Sequence, residues 1–380
     1  MRSSFQGVRH TKLIIMSVSN DYEYGYNDSY VFEDKKDYFV EIVTLFIEII
    51  GIIGNALVIF IILYYKKMHN VPNYLILSVA IGDLLFMVFS APFTVISLGF
   101  PSAAGNEVVC KLTNFILILS QGVSALSFTA LSADRYFAIN MAVAPMRDYA
   151  KRVTYFSIIV SWTTSLSFAL PVLWFSTVYI LPFGANMYVC SFAPDDAWKH
   201  ATVVYQTCRF VFLYALPVIV ISVLYTLVAM ELFRSIREMP TESTRSTSKS
   251  ASASKNQAQA RKRLAITVLV LAVMYTFCWL PYMFKEIAVE ISDKIHFNSN
   301  YKNVSFIMLY LSSCINPFAL VAMSRNYRKY FLRLLLCGKV QGRRKKPHPN
   351  TITSYSYNSV MSKPPHCNNE IETVIEEPEV

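Results

Sequence analysis

Residues 108–140 decide the fold, and they read VVCKLTNFILILSQGVSALSFTALSADRYFAIN. Between Cys110 at one end and Asp134-Arg135-Tyr136 at the other, Lys111 is the only charged residue. A helix of about 20 apolar residues is long enough to cross the hydrocarbon of a bilayer. The stretch therefore predicts a membrane-spanning helix whose charges stand near its two ends.

Six further stretches of similar length and character occur along the chain. The predicted spans are Tyr38–Tyr65, Asn73–Leu98, Val108–Asn140, Val153–Ile180, Thr202–Phe233, Leu264–Ala288 and Val304–Ser324. Lipid offers no hydrogen-bond partners, so backbone groups in such long runs must pair within a helix. The predicted fold class is an all-α membrane protein, a seven-transmembrane helix bundle with an interfacial eighth helix.

Composition and charge support a membrane protein and predict its orientation. The chain is 54% hydrophobic and 16% charged, whereas soluble domains carry about a quarter charged residues. The net charge of +10 is concentrated after the first, third and seventh spans, before the sixth, and in the tail. By the positive-inside rule, the N-terminus lies outside and the C-terminus inside, in a multi-pass protein of the plasma membrane. This distribution favours membrane lipid over nucleic acid as a partner.

The chain divides into four predicted regions. Residues 1–37 form an extracellular N-terminal tail, 38–324 the bundle, 325–337 an amphipathic interfacial helix, and 338–380 a disordered cytoplasmic tail. The polar stretch Ser235–Ala260 is also predicted to be disordered.

Three kinds of modification are predicted outside the bundle. Asn27 begins a glycosylation sequon in the outer tail. Cys337 follows the interfacial helix and is placed for palmitoylation, with an unmodified cysteine as the alternative. Threonines and serines of the inner tail, such as Thr351 and Ser354, are candidate phosphorylation sites.

Polar residues inside the spans call for an explanation, because placing a charged side chain there costs on the order of 3 kcal/mol of insertion free energy. Asp83 lies midway along the second span, and polar residues on other spans lie at a similar depth. These predict a sodium-binding pocket of oxygen ligands, with a hydrogen-bonded cluster that only joins the helices as the alternative. The candidate ligands are Asn55, Asp83, Ser124, Ser312 and Asn316, with Ser313 beside them.

The motifs, each in its proper span, resemble those of the rhodopsin-like (class A) G-protein-coupled receptors from about Tyr38 to Cys337. They are Gly54-Asn55, Asp83, Cys110, Asp134-Arg135-Tyr136, Trp162, Pro217, Phe277-Cys278-Trp279-Leu280-Pro281 and Asn316-Pro317. The resemblance implies a Cys110–Cys190 disulfide and a rotamer switch at Trp279, which lies close to the Pro281 kink. It also implies coupling to a heterotrimeric G protein through Asp134, Arg135, Tyr136 and Tyr225.

The segments Asn70-Val-Pro-Asn73, Gly122-Val-Ser124 and Asn316-Pro-Phe-Ala-Leu320 are similar to those of bombesin-type and CCHamide neuropeptide receptors. That likeness implies a peptide ligand and a Gq-type G protein with calcium signalling. Three departures from the wider family are Leu320 in place of the tyrosine after Asn316-Pro317, Tyr275 in place of phenylalanine, and Arg261-Lys-Arg263 in place of an acidic partner for Arg135.

The outer halves of the spans supply the predicted ligand site, which comprises Leu117, Gln121, Arg209, Tyr282, Glu286, Phe306 and Tyr310. Leu117 replaces the aspartate of amine receptors, and Tyr310 replaces the retinal lysine of opsins, so neither ligand is expected. Arg209 is predicted to contact a peptide carbonyl or carboxylate, and Glu286 to pair with Arg209 or to take a basic group. An Arg209–Glu286 bridge without ligand contact is the alternative.

Other classes of protein fit less well. A transporter would show repeat symmetry and interrupted helices, and no paired interruption is evident. An intramembrane enzyme would need histidine within the spans, but all six histidines lie in predicted loops or tails, so no enzyme activity and no cofactor beyond Na⁺ are expected. A class A receptor for a lipid or another small molecule remains an alternative.

Overall fold

A computed structural model describes residues 39–99, 105–140, 147–180, 188–192, 199–237, 249–291 and 297–335. The helices are α1 Phe39–Tyr64, α2 Val71–Gly99, α3 Glu107–Asn140, α4 Arg147–Phe175, α5 Lys199–Arg237, α6 Lys249–Ile291, α7 Ser299–Met323 and α8 Arg325–Leu335. Two of them contain a π-helical turn, Phe86–Ser90 in α2 and Val211–Ala215 in α5. A hairpin of β1 Ser176–Ile180 and β2 Tyr188–Phe192 follows α4.

Seven of these helices are long and apolar enough to cross a membrane, which confirms the predicted bundle and its fold class. The segments are Val40–Tyr64, Val71–Thr94, Glu107–Ile139, Tyr149–Phe175, His200–Glu231, Lys262–Val289 and Asn300–Met323. Large apolar side chains remain exposed on the outside of the bundle, including Trp174 at 86% and Phe156 at 68%. Such faces suit lipid, since lipid is as apolar as the side chains. The chain is a multi-pass membrane protein.

Two sequence-based expectations are wrong in detail. The fourth span ends at Phe175, and residues Ser176–Ile180 form β1 rather than more helix. This short run contains β-branched Thr177, Val178 and Ile180, which favour a strand when a partner is available, and β2 pairs with it antiparallel. The polar stretch predicted to be disordered is helical over 249–260, because α6 begins at Lys249. Asn27, Cys337 and the tail from 338 lie outside the described residues.

The chain changes direction at Ser324, and helix α8 then packs against the ends of α1 and α2. The Tyr330 ring stacks on Tyr65 with centroids 4.1 Å apart. The Tyr327 hydroxyl donates to Asn73 Oδ1 at 3.1 Å. Burial raises the pKa of the Tyr327 phenol, which therefore stays a hydrogen-bond donor at neutral pH. These contacts fix where α8 leaves the bundle; its position on a membrane surface stays a prediction.

Close approach of α3 to α4 depends on the absence of a side chain at Gly122. A Cβ built there would lie 2.5 Å from Ser165 Oγ, 2.8 Å from Ser165 Cβ and 3.1 Å from Ser165 Cα. The last two atoms move only with the α4 backbone, so the two helices would have to separate. At Gly51 the nearest atom is the mobile end of Met87, its Cε, at 2.8 Å.

Gly122→Ala should therefore destabilise the bundle, whereas Gly51→Ala should be tolerated. Overpacking at Ser165 is expected to cost about 1–3 kcal/mol, which thermal denaturation of the purified protein would measure. Gly51→Ala serves as the matched control because Met87 can choose another rotamer. Equal melting temperatures for the two variants would contradict the close-packing argument.

Candidate functional site

The bundle has two ends with different chemistry. We call the end that holds Cys110 the outer end and the end that holds Arg135 the inner end, following the predicted orientation.

In the middle, the Asp83 carboxylate is 2% exposed and joins α2 to α3 and α7. Ser313 donates to Oδ1 at 2.9 Å, Ser124 lies 3.5 Å from the same oxygen, and Asn316 donates to Oδ2 at 2.7 Å. Of the two serines considered from sequence, Ser313 rather than Ser312 contacts Asp83. A buried carboxylate held by three donors is compatible with the interior of a membrane protein.

Asn55 completes the middle cluster by binding a carbonyl that a proline leaves free. Pro317 has no N–H to give to the Ser313 carbonyl four residues earlier. Asn55 Nδ2 donates to that carbonyl at 3.0 Å and to the Gly51 carbonyl at 2.9 Å. The amide oxygen of Asn55 is buried and has no hydrogen-bond partner among the described residues.

Tyr275 makes a matching contact between α6 and α5. Pro217 cannot donate to the Leu213 carbonyl, and the Tyr275 hydroxyl donates to that carbonyl at 3.2 Å. The Tyr275 ring lies 5.8 Å from Trp279 and 5.7 Å from Phe128. The tyrosine that departs from the family pattern thus fills a hydrogen-bonding need that phenylalanine could not.

At the inner end, Arg135 is held by its neighbour in sequence. Its Nε donates to Asp134 Oδ2 at 3.0 Å, the nearer terminal nitrogen contacts the same oxygen, and the residue is only 7% exposed. Tyr225 ties α5 to α6 by donating to the Ala265 carbonyl at 3.1 Å. At the inner end, α5 is thus joined to α6, and the Arg135 guanidinium is bonded to a carboxylate of its own helix. Tyr136 packs on Phe137 with ring centroids 5.4 Å apart.

A disulfide fixes the outer end of α3. Cys110 and Cys190 are bonded, with Cα atoms 5.6 Å apart, as the family resemblance implied. Asn114 supports the bridge by donating to Ser176 Oγ at 3.2 Å and lying 3.3 Å from Cys190 Sγ. The β-hairpin is thus attached to α3 on both of its strands.

Near the outer end, buried polar side chains on α3, α5 and α6 form a chain of hydrogen bonds. Arg209 is 2% exposed; its Nε donates to Gln121 Oε1 at 3.0 Å and its Nη1 to Gln206 Oε1 at 3.1 Å. Gln206 Nε2 reaches Glu286 Oε2 at 3.5 Å. The remaining nitrogen of Arg209, Nη2, is buried and lacks a hydrogen-bond partner among the described residues.

Glu286 pairs with Lys285 instead of Arg209. Lys285 Nζ lies 2.8 Å from Glu286 Oε1, 4.9 Å from the Tyr282 ring centroid and 5.1 Å from that of Phe306. The direct Arg209–Glu286 bridge considered from sequence is wrong in this conformation, because Gln206 stands between the two charges. Lys285 was missed, although a lysine inside the sixth predicted span was itself the signal.

The other predicted outer residues lie around this cluster. Leu117 and Tyr310 are buried in the same hydrophobic core as Tyr282 and Phe306. Tyr282 also lies beneath Arg209, whose guanidinium carbon is 5.7 Å from the ring centroid. The structure thus brings together five of the seven residues of the predicted ligand site, Gln121, Arg209, Tyr282, Glu286 and Phe306. Whether a ligand contacts them stays a prediction.

A seven-helix membrane bundle with a disulfide-anchored outer hairpin and a clamped arginine at its inner end defines a class of receptors. The sequence matches the family described as 7 transmembrane receptor (rhodopsin family) over residues 54–319. The chain belongs to this family, and it is a receptor rather than an enzyme.

Three relatives illustrate the similarity. The Neuropeptide CCHamide-1 receptor of Drosophila melanogaster is 31% identical over 324 residues, covering 81% of this chain but only 62% of the fly protein. Bombesin receptor subtype-3 of Ovis aries is 33% identical, covering 76% of this chain and 73% of the sheep protein. Galanin receptor 2b of Danio rerio is 28% identical, covering 84% and 82%.

The Lys285–Glu286 pair gives a stability prediction. Glu286→Gln leaves a buried cation without its counter-charge and should lower stability by about 3 kcal/mol, whereas Lys285→Met combined with Glu286→Gln should recover most of that loss. Thermal denaturation of the purified protein would measure both. Lys111→Met, which breaks the exposed Glu107–Lys111 pair, should cost less than about 1 kcal/mol. A double variant no more stable than Glu286→Gln alone would contradict the pairing.

Proposed function

We propose that this chain is a plasma-membrane receptor for an extracellular neuropeptide and that it activates a heterotrimeric G protein of the Gq type. The observation that carries the proposal is the Arg209 guanidinium, which is buried near the outer end of the bundle with one nitrogen unpartnered among the described residues. A peptide carbonyl or C-terminal group would complete its hydrogen bonds.

The names of the relatives support a peptide as the ligand class. One is named as a neuropeptide receptor and another as a bombesin receptor. The basic outer cluster of Arg209 and Lys285, balanced only in part by Glu286, suits a carbonyl-rich ligand that lacks a strong positive charge at this position. Leu117, buried and apolar on α3, offers no charge to an amine ligand.

The inner end would transmit the signal through a change in the contacts of Arg135 and Tyr225. A ligand acts only through its different affinities for two states, so the outer contacts must favour a state in which α6 has moved away from α3 and α5. That movement would break the Tyr225–Ala265 hydrogen bond and expose Arg135. Arg261, Lys262 and Arg263 offer Arg135 no acidic partner on α6, so Asp134 is the restraint that a G protein would have to replace. A receptor kinase and arrestin would act on the same open state.

The function can be tested by expressing the chain in cells and screening amidated neuropeptides for calcium release. Arg135→Ala should abolish the calcium response without loss of surface protein or of peptide binding. Arg209→Ala should instead weaken binding by about tenfold or more, since a charge-assisted hydrogen bond contributes roughly 1.5–3 kcal/mol. Lys111→Met is the matched control, because it removes an outer cation that is paired and exposed.

Three results would each count against part of the proposal. Unchanged affinity in Arg209→Ala at normal surface expression would remove Arg209 from the ligand site. A response to a lipid or an amine, with none to any peptide, would replace the ligand class while leaving the receptor family intact. A calcium response blocked by removal of another G-protein class would correct the Gq assignment.

We further propose that Asp83 binds Na⁺. Its neighbours Ser124, Ser313, Asn316 and Asn55 all present oxygen atoms, the ligands that hard cations prefer. The buried and unpartnered amide oxygen of Asn55 adds a ligand that the hydrogen-bonded cluster leaves unused. Na⁺ would neutralise the carboxylate and hold α2, α3 and α7 in the closed arrangement.

Sodium should therefore stabilise the purified protein more than choline does at equal ionic strength. At a sodium concentration tenfold above the dissociation constant, the gain should be ~1.4 kcal/mol. Asp83→Asn keeps a hydrogen-bonding side chain but removes the charge, and it should abolish the sodium effect on the melting temperature. An equal sodium effect in Asp83→Asn and the unmodified chain would place the cation elsewhere.

A further inference from the structure

An open cleft at the inner end of the bundle lies between α6, α7 and α8. Its volume is about 320 Å³, near the lower limit of the roughly 300–1,000 Å³ that is typical of ligand sites. Five side chains line it, and they are Arg263, Ile266, Met323, Arg325 and Arg328. Three of the five are arginines, and none of them belongs to the ligand site, the sodium cluster or the Asp134–Arg135 pair.

The three arginines reach the cleft from two helices that are distant in sequence. Arg263 belongs to α6, whereas Arg325 is the first residue of α8 and Arg328 follows it by three. Residues three apart on a helix are neighbours on its surface. Tyr327 and Tyr330 are buried where α8 packs against the ends of α1 and α2, while both arginines of α8 remain exposed. Packing of the tyrosines thus leaves two charges of α8 beside the cleft that Arg263 also lines.

No carboxylate neutralises this positive cluster in the part of the chain that the structure describes. None of the three arginines forms an ion pair with a described aspartate or glutamate, and the described lining of the cleft contains no acidic side chain. Like charges around one space repel one another and raise the local concentration of anions. A guanidinium pairs with phosphate through two parallel hydrogen bonds. The cleft therefore suits a phosphate group, and three cations suit a headgroup with more than one negative charge.

The position of the cleft along the membrane spans favours a lipid over a soluble anion. The membrane-spanning segment of α6 begins at Lys262, and that of α7 ends at Met323. The cleft therefore lies at the boundary between the hydrocarbon and the polar headgroup region. Ile266 is 41% exposed and lies about one turn further into the span than Arg263. An acyl chain can contact Ile266 while its phosphate contacts the arginines.

We propose that this cleft binds the phosphorylated headgroup of an anionic phospholipid of the inner leaflet through Arg263, Arg325 and Arg328. Basic pockets between helices on the cytoplasmic side are suited to such headgroups. A headgroup held by all three arginines joins α6 to α8. In the proposed receptor, where α6 moves away from α3 and α5, this lipid would favour the arrangement described here over the open one. The binding site itself does not depend on the proposed function.

The site can be tested with the purified full chain in detergent, using a fluorescent short-chain phosphatidylinositol bisphosphate as the probe. Fluorescence polarisation would measure its affinity at about 0.15 M salt, where charges beyond about 8 Å are largely screened. Arg263→Gln and Arg328→Gln should each weaken binding by about tenfold, because each removes a charge-assisted hydrogen bond. Both arginines are exposed, so the melting temperature of each variant should match that of the unmodified chain.

Lys262→Gln and Lys329→Gln are the matched controls. Each removes an exposed positive charge next to one of the arginines in sequence, but neither lysine lines the cleft. Any basic residue near the membrane attracts anionic lipid, so these variants measure the general attraction. At this salt each should weaken binding by less than about twofold. Arg263→Lys should fall between the two groups, because lysine keeps the charge but not the planar pair of donors.

Equal losses in the arginine and lysine variants would reduce the binding to general attraction and overturn the site. Competition by unlabelled molecules tests the occupant. Short-chain phosphatidylinositol bisphosphate should displace the probe, phosphatidylserine should displace much less of it, and phosphatidylcholine none. Soluble inositol trisphosphate should compete more weakly than the lipid because it has no acyl chain; equal competition would overturn the lipid assignment. None of these measurements uses a peptide, so their failure would leave the proposed function unaffected.

Discussion

The Asp83 carboxylate, 2% exposed and bonded to α3 and α7, is the interaction on which the bundle depends most. In water such a group would gain little from its neighbours, but in hydrocarbon an unpaired carboxylate is too costly to keep. The three helices must therefore stay close enough to supply the donors. If Na⁺ binds there as proposed, it would change the free-energy cost of holding the three helices together.

Prolines create the same need for hydrogen-bond partners in the backbone that Asp83 creates among the side chains. Each proline within a helix leaves the carbonyl four residues earlier without its usual donor, and in lipid no water replaces it. At two places a side chain from another helix takes the free carbonyl: Asn55 of α1 binds Ser313, and Tyr275 of α6 binds Leu213. At each kink, a hydrogen bond therefore joins the kinked helix to a neighbouring helix. One such hydrogen bond contributes about 1 kcal/mol net. It can therefore be replaced by another hydrogen bond without unfolding either helix.

Predictions from the sequence were most accurate where a single physical requirement determines the type of residue. The spans follow from the length of the apolar runs, and the Asp83 cluster and the Asp134–Arg135 pair follow from the cost of a charge in lipid. The sequence alone was therefore sufficient to predict them. The strand Ser176–Ile180 could not be predicted, since its partner β2 begins only at Tyr188 and the pairing of the two segments is what makes a strand favourable. Ser313 could not be separated from Ser312 because neighbouring serines differ only in their direction around α7.

The partners of buried charges were the least predictable part of the site. Spacing placed Arg209 and Glu286 in one cavity, yet Gln206 lies between them and Lys285, adjacent to Glu286 in sequence, takes its carboxylate. Residues next to each other on a helix point about 100° apart, so an i,i+1 ion pair is not expected from helical geometry. It forms here because the Tyr282 and Phe306 rings hold the Lys285 ammonium beside them.

These rings also connect the outer end to the middle of the bundle. Phe306, Tyr282, Trp279, Tyr275 and Phe128 form a continuous series of ring contacts, each pair of centroids 5.7–6.1 Å apart. Packed rings cannot move independently, because the interior has no space to absorb a shifted side chain. In the proposed receptor, a ligand that displaces Tyr282 must therefore move Trp279 and strain the Tyr275–Leu213 hydrogen bond. Relief of that strain by rotation of α6 about Pro281 would open the inner end at Tyr225 and Ala265.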